Sequence, residues 1–334
     1  MAEVLLHTLR GSLVENIYRG DIAVVDKSGK LAYFCGDPEK VTYMRSAAKP
    51  MQAAAVCEHG VVEAFGFDQQ ELAVMCASHN GEDFHIQAIA SILQKIGLTE
   101  EDLSLGADYS YNAAIRDQML LKGLPRRKLV NNCSGKHAAM LALCVKEGWP
   151  IRGYAAAEHP CQKLMRETVA AFCEMPAEEI IVGVDGCGVS VFAMPLSRMA
   201  LGWHNLQNPA ALPPQKQAAA RAVTAAIAKY PPMISGTGEF CSAVAAVTGG
   251  RIIAKKGADG IYCCAEAGGP AIALKIEDGN MAVLPQVLFA TLSQLHMLRE
   301  AEQAALAPFG HVDNLNCQND KVGERIAVFT LKSL

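Results

Sequence analysis

Apolar and polar positions along this chain follow two different periods, and the changes between them outline its elements. The stretch Asp21–Gly36 carries two β-rich runs, IAVV and LAYF, about a Gly-containing turn, which predicts a hairpin. From Ser46 the sequence AAKPMQAAAVCEHG turns helical, with Pro50 near the start and Gly60 at the end. Asp68–Met75 is helical again, and Asp83–Ile96 sets Ile86, Ile89, Ala90, Leu93 and Ile96 on one side of an amphipathic helix. Ser78-His-Asn-Gly81 falls in the connection between these two. Lys136–Glu147 and Pro160–Cys173 have helical periodicity. Ile180–Met194 reads as two strands bent around Asp185-Gly-Cys-Gly188, a tight turn that presents Cys187. An Ala-rich helix, Pro214–Lys229, stops at Pro231-Pro232 before the polar loop Ile234-Ser-Gly-Thr-Gly238. The runs RIIAKKG, GIYCCAEA and AIALKIEDG predict an antiparallel meander, and Pro285–Ala304 a last long helix. With no repeat, low-complexity stretch or long linker, the pattern predicts a single α+β domain over 1–334, its helical lobe within about 46–235 and its antiparallel sheet from about 5–36 and 250–280.

Composition narrows the class. Of 334 residues 51% are apolar and 19% charged, and no run approaches the ~18 uninterrupted apolar residues of a membrane span. The N-terminus MAEVLLHTLRGSLVEN lacks a basic segment followed by an apolar core, so a cytoplasmic protein is expected. The 12 cysteines, many in apolar helical contexts of a long chain, are expected to be mostly reduced core residues. A net charge of −4 with scattered lysines and arginines offers no field for a phosphate backbone, which argues against nucleic acid as a partner.

Three separated pieces carry candidate chemistry: Ser46-Ala-Ala-Lys49, Ser78-His-Asn80 and Lys255-Lys-Gly257 read in order as S-x-x-K, S-x-N and K-x-G, the ordered set of serine acyl-transfer enzymes of the β-lactamase type. Residues three apart on a helix have Cβ atoms about 5–6 Å apart, so Lys49 can reach the Ser46 hydroxyl. Serine needs such a base, and lysine serves as one only when burial or a second cation, here Lys255, holds it neutral. Ser78 offers a hydroxyl to relay a proton, and Asn80 an amide to orient a polar substrate. Each piece also has a plain reading: Ser46 as a helix cap with Lys49 solvated, Asn80-Gly81 as a turn, and Lys255 as an edge-strand lysine in competition with Lys256.

A second cluster lies in Asn131-Asn-Cys-Ser-Gly-Lys-His137, with Cys133 just before a helix and Lys136 and His137 in its first turn. Cys133 and Cys187 could share a soft metal such as zinc. Alternatively, Cys133 could be a thiolate nucleophile with His137 as base, or both cysteines could be small core residues.

Arg45-Ser-Ala-Ala-Lys-Pro50, Ser78-His-Asn-Gly-Glu82, Asn131-Asn-Cys-Ser-Gly-Lys-His-Ala138, Val184-Asp-Gly-Cys-Gly188, Gly236-Thr-Gly238 and Lys255-Lys-Gly-Ala-Asp-Gly260 resemble the signature blocks of the Rhizobium etli-type L-asparaginases, the asparaginase II or class 3 family. The likeness spans roughly residues 5 to 290. It implies a fold similar to serine β-lactamases and penicillin-binding proteins, a homodimer, and hydrolysis of L-asparagine to L-aspartate and ammonia. Carried over by position, it implies two Ser–Lys pairs, Ser46 with Lys49 and Ser78 with Lys255. It further implies zinc held by Cys133, Lys136 and Cys187, with His137 and Asp185 close by. Arg45, Asn80, His137 and Asp185 are the expected substrate contacts. The chain departs from the blocks at Asn80, where serine is common, at Glu239, where a basic residue is common, and in a short C-terminal end. Rival readings are a penicillin-interacting or other amide hydrolase on the same scaffold and a non-catalytic small-molecule or metal sensor. Labelled penicillin tests the first and ammonia release from asparagine the second.

Overall fold

The computed structural model describes residues 2–334. Twelve strands are named in chain order: β1 (Glu3–Arg10), β2 (Leu13–Val25), β3 (Leu31–Cys35), β4 (Val41–Tyr43), β5 (Ile181–Val184), β6 (Ser190–Pro195), β7 (Ile252–Gly257), β8 (Ile261–Glu266), β9 (Ala271–Ile276), β10 (Val312–Leu315), β11 (Lys321–Ala327) and β12 (Lys332–Ser333). Nine of them form one antiparallel sheet in the order β10-β11-β1-β2-β9-β8-β7, with β3 beside β2 and β12 beside β3; β4, β6 and β5 make a second, small sheet. The expected hairpin is present as β2 and β3, with Ile22 opposite Cys35, and the expected meander as β7, β8 and β9. Tyr262, Cys263, Cys264 and Ala265 are buried in succession, so both faces of β8 are covered. Helix Leu196–Gln207 lies against β2, β8 and β9, and helix Leu284–Gln294 against β8 and β11.

The helical lobe is built around Lys49–Glu58, which packs against helices Ser134–Glu147, Pro160–Phe172 and Pro214–Lys229. Its residues from Lys49 to Val56 are all buried, so it is apolar on every side except where Lys49 and Gln52 enter the core. That accounts for the weak amphipathic signal of AAKPMQAAAV, a stretch enclosed all round.

Three expectations require correction. Ser46 lies in a 3₁₀ turn, Arg45–Ala48, and the α-helix starts only at Lys49. The long helix expected over Pro285–Ala304 is two helices, Leu284–Gln294 and Glu300–Gly310. The first ends in a left-handed residue, His296 at φ +52°, whose amide donates to the Ser293 carbonyl while Met297 donates to that of Leu292 at 3.0 Å. This is the 5→2 and 6→1 pattern that normally carries glycine. The sheet also extends beyond the expected segments, because β10, β11 and β12 complete it from the C-terminal end. Among the described residues no helix is long and apolar enough to cross a membrane.

Candidate active site

The 3₁₀ turn that carries Ser46 is fixed on three sides. The Met44 amide donates to the Phe192 carbonyl of β6 at 2.8 Å, the Trp203 indole to the Ala47 carbonyl at 3.2 Å, and a Cβ at Gly257 of β7 would stand 2.9 Å from the Met44 carbonyl. Arg45 adopts φ +50°, a left-handed conformation that costs a side-chain-bearing residue energy and is kept only where its surroundings enforce it. Its guanidinium supplies that constraint, donating to Asp185 at 3.0 Å and pairing with Asp259, a residue of the β7–β8 turn that is itself left-handed at φ +56°. Ser46 is half-buried, directly beyond this clamp.

Lys49 is buried, and its Nζ lies 2.6 Å from the Ala77 carbonyl, 2.9 Å from the Ser78 hydroxyl and 3.3 Å from the Asn132 carbonyl. Ser46 is not among these partners. Lys49 thus bonds Ser78, and Lys255 donates to the Lys256 carbonyl at 3.0 Å. The cause is geometric. Ser46 lies in the 3₁₀ turn before the helix, while the Lys49 side chain extends to the Ala77–Ser78 connection. Burial lowers the Lys49 pKa, with Lys136 adding to the effect and Cys133 opposing it. Burial likewise lowers Lys255 to about 7, with Cys241 opposing and Lys49 and Lys256 assisting.

The second cluster converges on the same place because two helices touch. A Cβ at Gly135 would stand 2.2 Å from the Val74 carbonyl, so only glycine lets helix Ser134–Glu147 approach helix Gln69–Met75 this closely. The approach sets Asn132 and Cys133 beside Lys49. Cys133 lies beside Cys187, Lys136 donates to the Cys187 sulfur at 3.1 Å, and its ammonium lies 3.7 Å from Asp185. The Cys187 thiol holds Cys133 well below the usual thiol range, against burial and with help from Lys49 and Lys136, while Cys187 itself is pushed up. Burial opposes the charge of Lys136, but Cys133, Cys187 and Asp185 together raise its pKa. Arg45, Asp185, Lys136, Cys187, Cys133, Lys49 and Ser78 thus form one continuous polar chain.

His137 is buried on the same helix, with Nδ1 2.6 Å from the Tyr154 hydroxyl and Nε2 without a partner. Burial, Lys136 and Lys49 hold it well below its usual pKa, so it is neutral. Asn80 is buried, its backbone N–H donating to the Ser235 carbonyl at 3.0 Å, parallel to the backbone bond from Ser78 to the Ile234 carbonyl.

Among the described residues no three His, Cys, Asp or Glu side chains are grouped to hold a metal ion. The donor chemistry nonetheless fits a soft divalent ion if Lys136 gives up its proton, since two sulfurs and one nitrogen converge there. Sequence reasoning missed Glu82, Tyr154, Ser235 and Asp259. Glu82 and Asp259 stand inside the signature blocks and could have been found there; Tyr154 and Ser235 carry no local pattern.

A profile of the family described as L-asparaginase II matches residues 6–327. The chain belongs to the L-asparaginase II family. No curated protein matches it. Among solved structures, one described as a crystal structure analysis of Mglu is 16% identical with a TM-score of 0.36, covering 83% of this chain and 66% of that one. Another, of Mglu in its native form in the presence of 4.3M NaCl, is 15% identical with a TM-score of 0.38, covering 84% and 62%. A third, of Mglu in its glutamate form, is 15% identical at 0.36, covering 84% and 62%. The chain thus spans two thirds or less of the length of these structures, and the likeness is too slight to bear on fold or function. Membership of the L-asparaginase II family rests on the profile and agrees with the signature blocks.

Proposed function

We propose that this chain is an L-asparaginase, an amidohydrolase that converts L-asparagine and water to L-aspartate and ammonia through an acyl-enzyme on serine. The observation that carries the reading is the 2.9 Å hydrogen bond between the buried Lys49 nitrogen and the Ser78 hydroxyl, with Ser46, three residues before Lys49, half-buried and following a strained, doubly ion-paired Arg45. A buried lysine of lowered pKa is the base that a serine nucleophile requires. Ser46 attacks the side-chain carboxamide carbon, and its proton passes by way of Ser78 to neutral Lys49. That proton then reaches the leaving nitrogen, ammonia departs, and water releases aspartate by the same relay. Lys255 supplies a second lysine of depressed pKa beside Lys49. Arg45, Asn80, His137 and Asp185 are the polar groups proposed to hold the amino acid.

Cys133, Lys136 and Cys187 would hold zinc, with His137 and Asp185 adjacent. Bound there, the ion would supply positive charge that orients the substrate's anionic end. The scaffold is proposed to be a single domain of the serine β-lactamase and penicillin-binding type, and the molecule a cytoplasmic homodimer.

The bond from Lys49 to Ser78, rather than to Ser46, favours one further reading, in which Ser78 attacks directly. Ammonia release from L-asparagine distinguishes them. Ser46→Ala is expected to lower kcat by about 10³-fold or more, as loss of a nucleophile does. Ser78→Ala is expected to slow the enzyme while a covalent adduct still forms on Ser46. An adduct trapped on Ser78 instead would reverse the assignment, and full activity in both variants would remove the serine mechanism. Metal content measured on the same preparation tests the zinc assignment.

A further inference from the structure

The Ser78–Asn80 connection and the segment Ile234–Gly238 run side by side, joined by the backbone bonds of Ser78 to Ile234 and Asn80 to Ser235 at 3.0 Å each. Between them lie two side-chain atoms sealed from solvent and without any hydrogen-bond partner: Asn80 Oδ1, on a residue 4% exposed, and Ser235 Oγ, on a residue 1% exposed. Buried polar atoms are nearly always paired, so two orphans on facing segments beside the Lys49–Ser78 bond call for a ligand. Their surroundings indicate its chemistry. The Asn80 amide lies beside the Glu82 carboxylate, which also accepts from the Thr237 amide and hydroxyl at 2.7 Å each. An acceptor oxygen, a hydroxyl and a nearby anion together suit a cationic donor group. The cover over them is the Gly236-Thr-Gly238 loop: Gly236, at φ +132°, presses on Asn80 so closely that a Cβ would stand 2.1 Å from its Nδ2.

Resting on the asparaginase reading above, we propose that Ser235 is a substrate-binding residue, and that Ser235 Oγ and Asn80 Oδ1 together receive the α-ammonium of the amino acid once the Gly236-Thr-Gly238 loop lifts off its Glu82 latch. The chain would then select amides that carry a free α-ammonium.

The test compares L-asparagine with succinamate, the same amide without its α-ammonium, in the wild type and in Ser235→Ala. The wild type is expected to prefer L-asparagine through KM. Ser235→Ala is expected to raise KM for L-asparagine about tenfold with kcat little changed, to leave KM for succinamate unaltered, and so to shrink the preference. Its Tm should be unchanged or higher, because the hydroxyl it removes has no partner in the free protein. A wild type that does not distinguish the two amides overturns the proposal without recourse to any variant. So does a Ser235→Ala enzyme with unaltered KM and preference, or one whose only change is a lower Tm. If the wild type releases no ammonia from L-asparagine, the asparaginase reading fails and this inference with it.

Discussion

Lys255 is wholly buried, and its hydrogen bond goes to a backbone carbonyl rather than to a carboxylate. A cation in that position is costly, which is why its pKa falls to about 7, against 10.5 in the unfolded chain. Between these values the unfolded chain holds a proton that the folded chain has released, so stability rises with pH from about 7 to about 10.5. Below the lower value both states are protonated, and the fold carries the full burial penalty, on the order of 5 kcal/mol. Lys255→Met, similar in volume, is therefore expected to be more stable than wild type at pH 6, with the advantage vanishing toward pH 10. Urea unfolding at several pH values measures this, and a variant less stable at every pH would contradict it. The motif K-x-G picked Lys255 over Lys256 from register alone. The structure separates them physically, since Lys256 is spent on Glu239 at 2.5 Å. That Lys49 bonds Ser78 was not legible. Whether a lysine reaches one hydroxyl or another depends on where the helix begins, and the 3₁₀ turn over Arg45–Ala48 has no sequence marker distinct from an α-helical start.

Elements were legible where their local chemistry was complete. Asp68 caps helix Gln69–Met75 in a capping box with Glu71, and Gly97 follows helix Asp83–Lys95, so both helices announce their own ends. The break at His296 uses the same backbone turn without its usual glycine, and no signal separated the two helices there. What brings elements together is less visible still, and Gly135 shows why. In sequence it is one more residue of Ser-Gly-Lys-His, whereas in space it is the contact that lets two helices bring Cys133 and Lys136 to Lys49. Gly135→Ala places a methyl 2.2 Å from the Val74 carbonyl, a backbone atom that cannot rotate away. The variant is expected to lose about 1–3 kcal/mol by overpacking. It should also lose more activity than its fall in Tm explains, because Cys133 and Asn132 move off the lysine. Thermal unfolding and kcat measured on one preparation check this; unchanged activity at lowered Tm would limit the residue to packing.

At the scale of the molecule, the α+β class and the meander could be read from local periodicity, whereas closure of the sheet could not. β1 pairs with β11, setting Leu6 opposite Ala327, and no local pattern encodes a partner that distant. The helical lobe likewise gathers buried histidines from separate segments, and these set the response to acid. His79 and His137 are held well below the usual histidine range, and burial lowers His85 to about 4 against 6.5 unfolded. His79 and His85 stack with centroids 5.0 Å apart, and His85 Nε2 lies 3.1 Å from the Pro232 carbonyl, tying helix Asp83–Lys95 to the base of the loop that carries Ser235. Between pH 6.5 and about 4 the unfolded chain binds a proton at His85 that the folded chain refuses, so its share of stability is intact above 6.5 and drains away as pH falls toward 4. That share is on the order of 3 kcal/mol. His85→Gln keeps a donor for Pro232 and removes the titration. It is expected to flatten the stability curve between pH 6.5 and 4, leaving the residual slope to His79, His137 and the carboxylates. Urea titrations of wild type and variant at pH 7, 5.5 and 4.5 would reveal the difference as a gap that widens with acid. Parallel curves would show that His85 takes up its proton in the fold as readily as in the unfolded chain, and with it that the Pro232 anchor tolerates a cation.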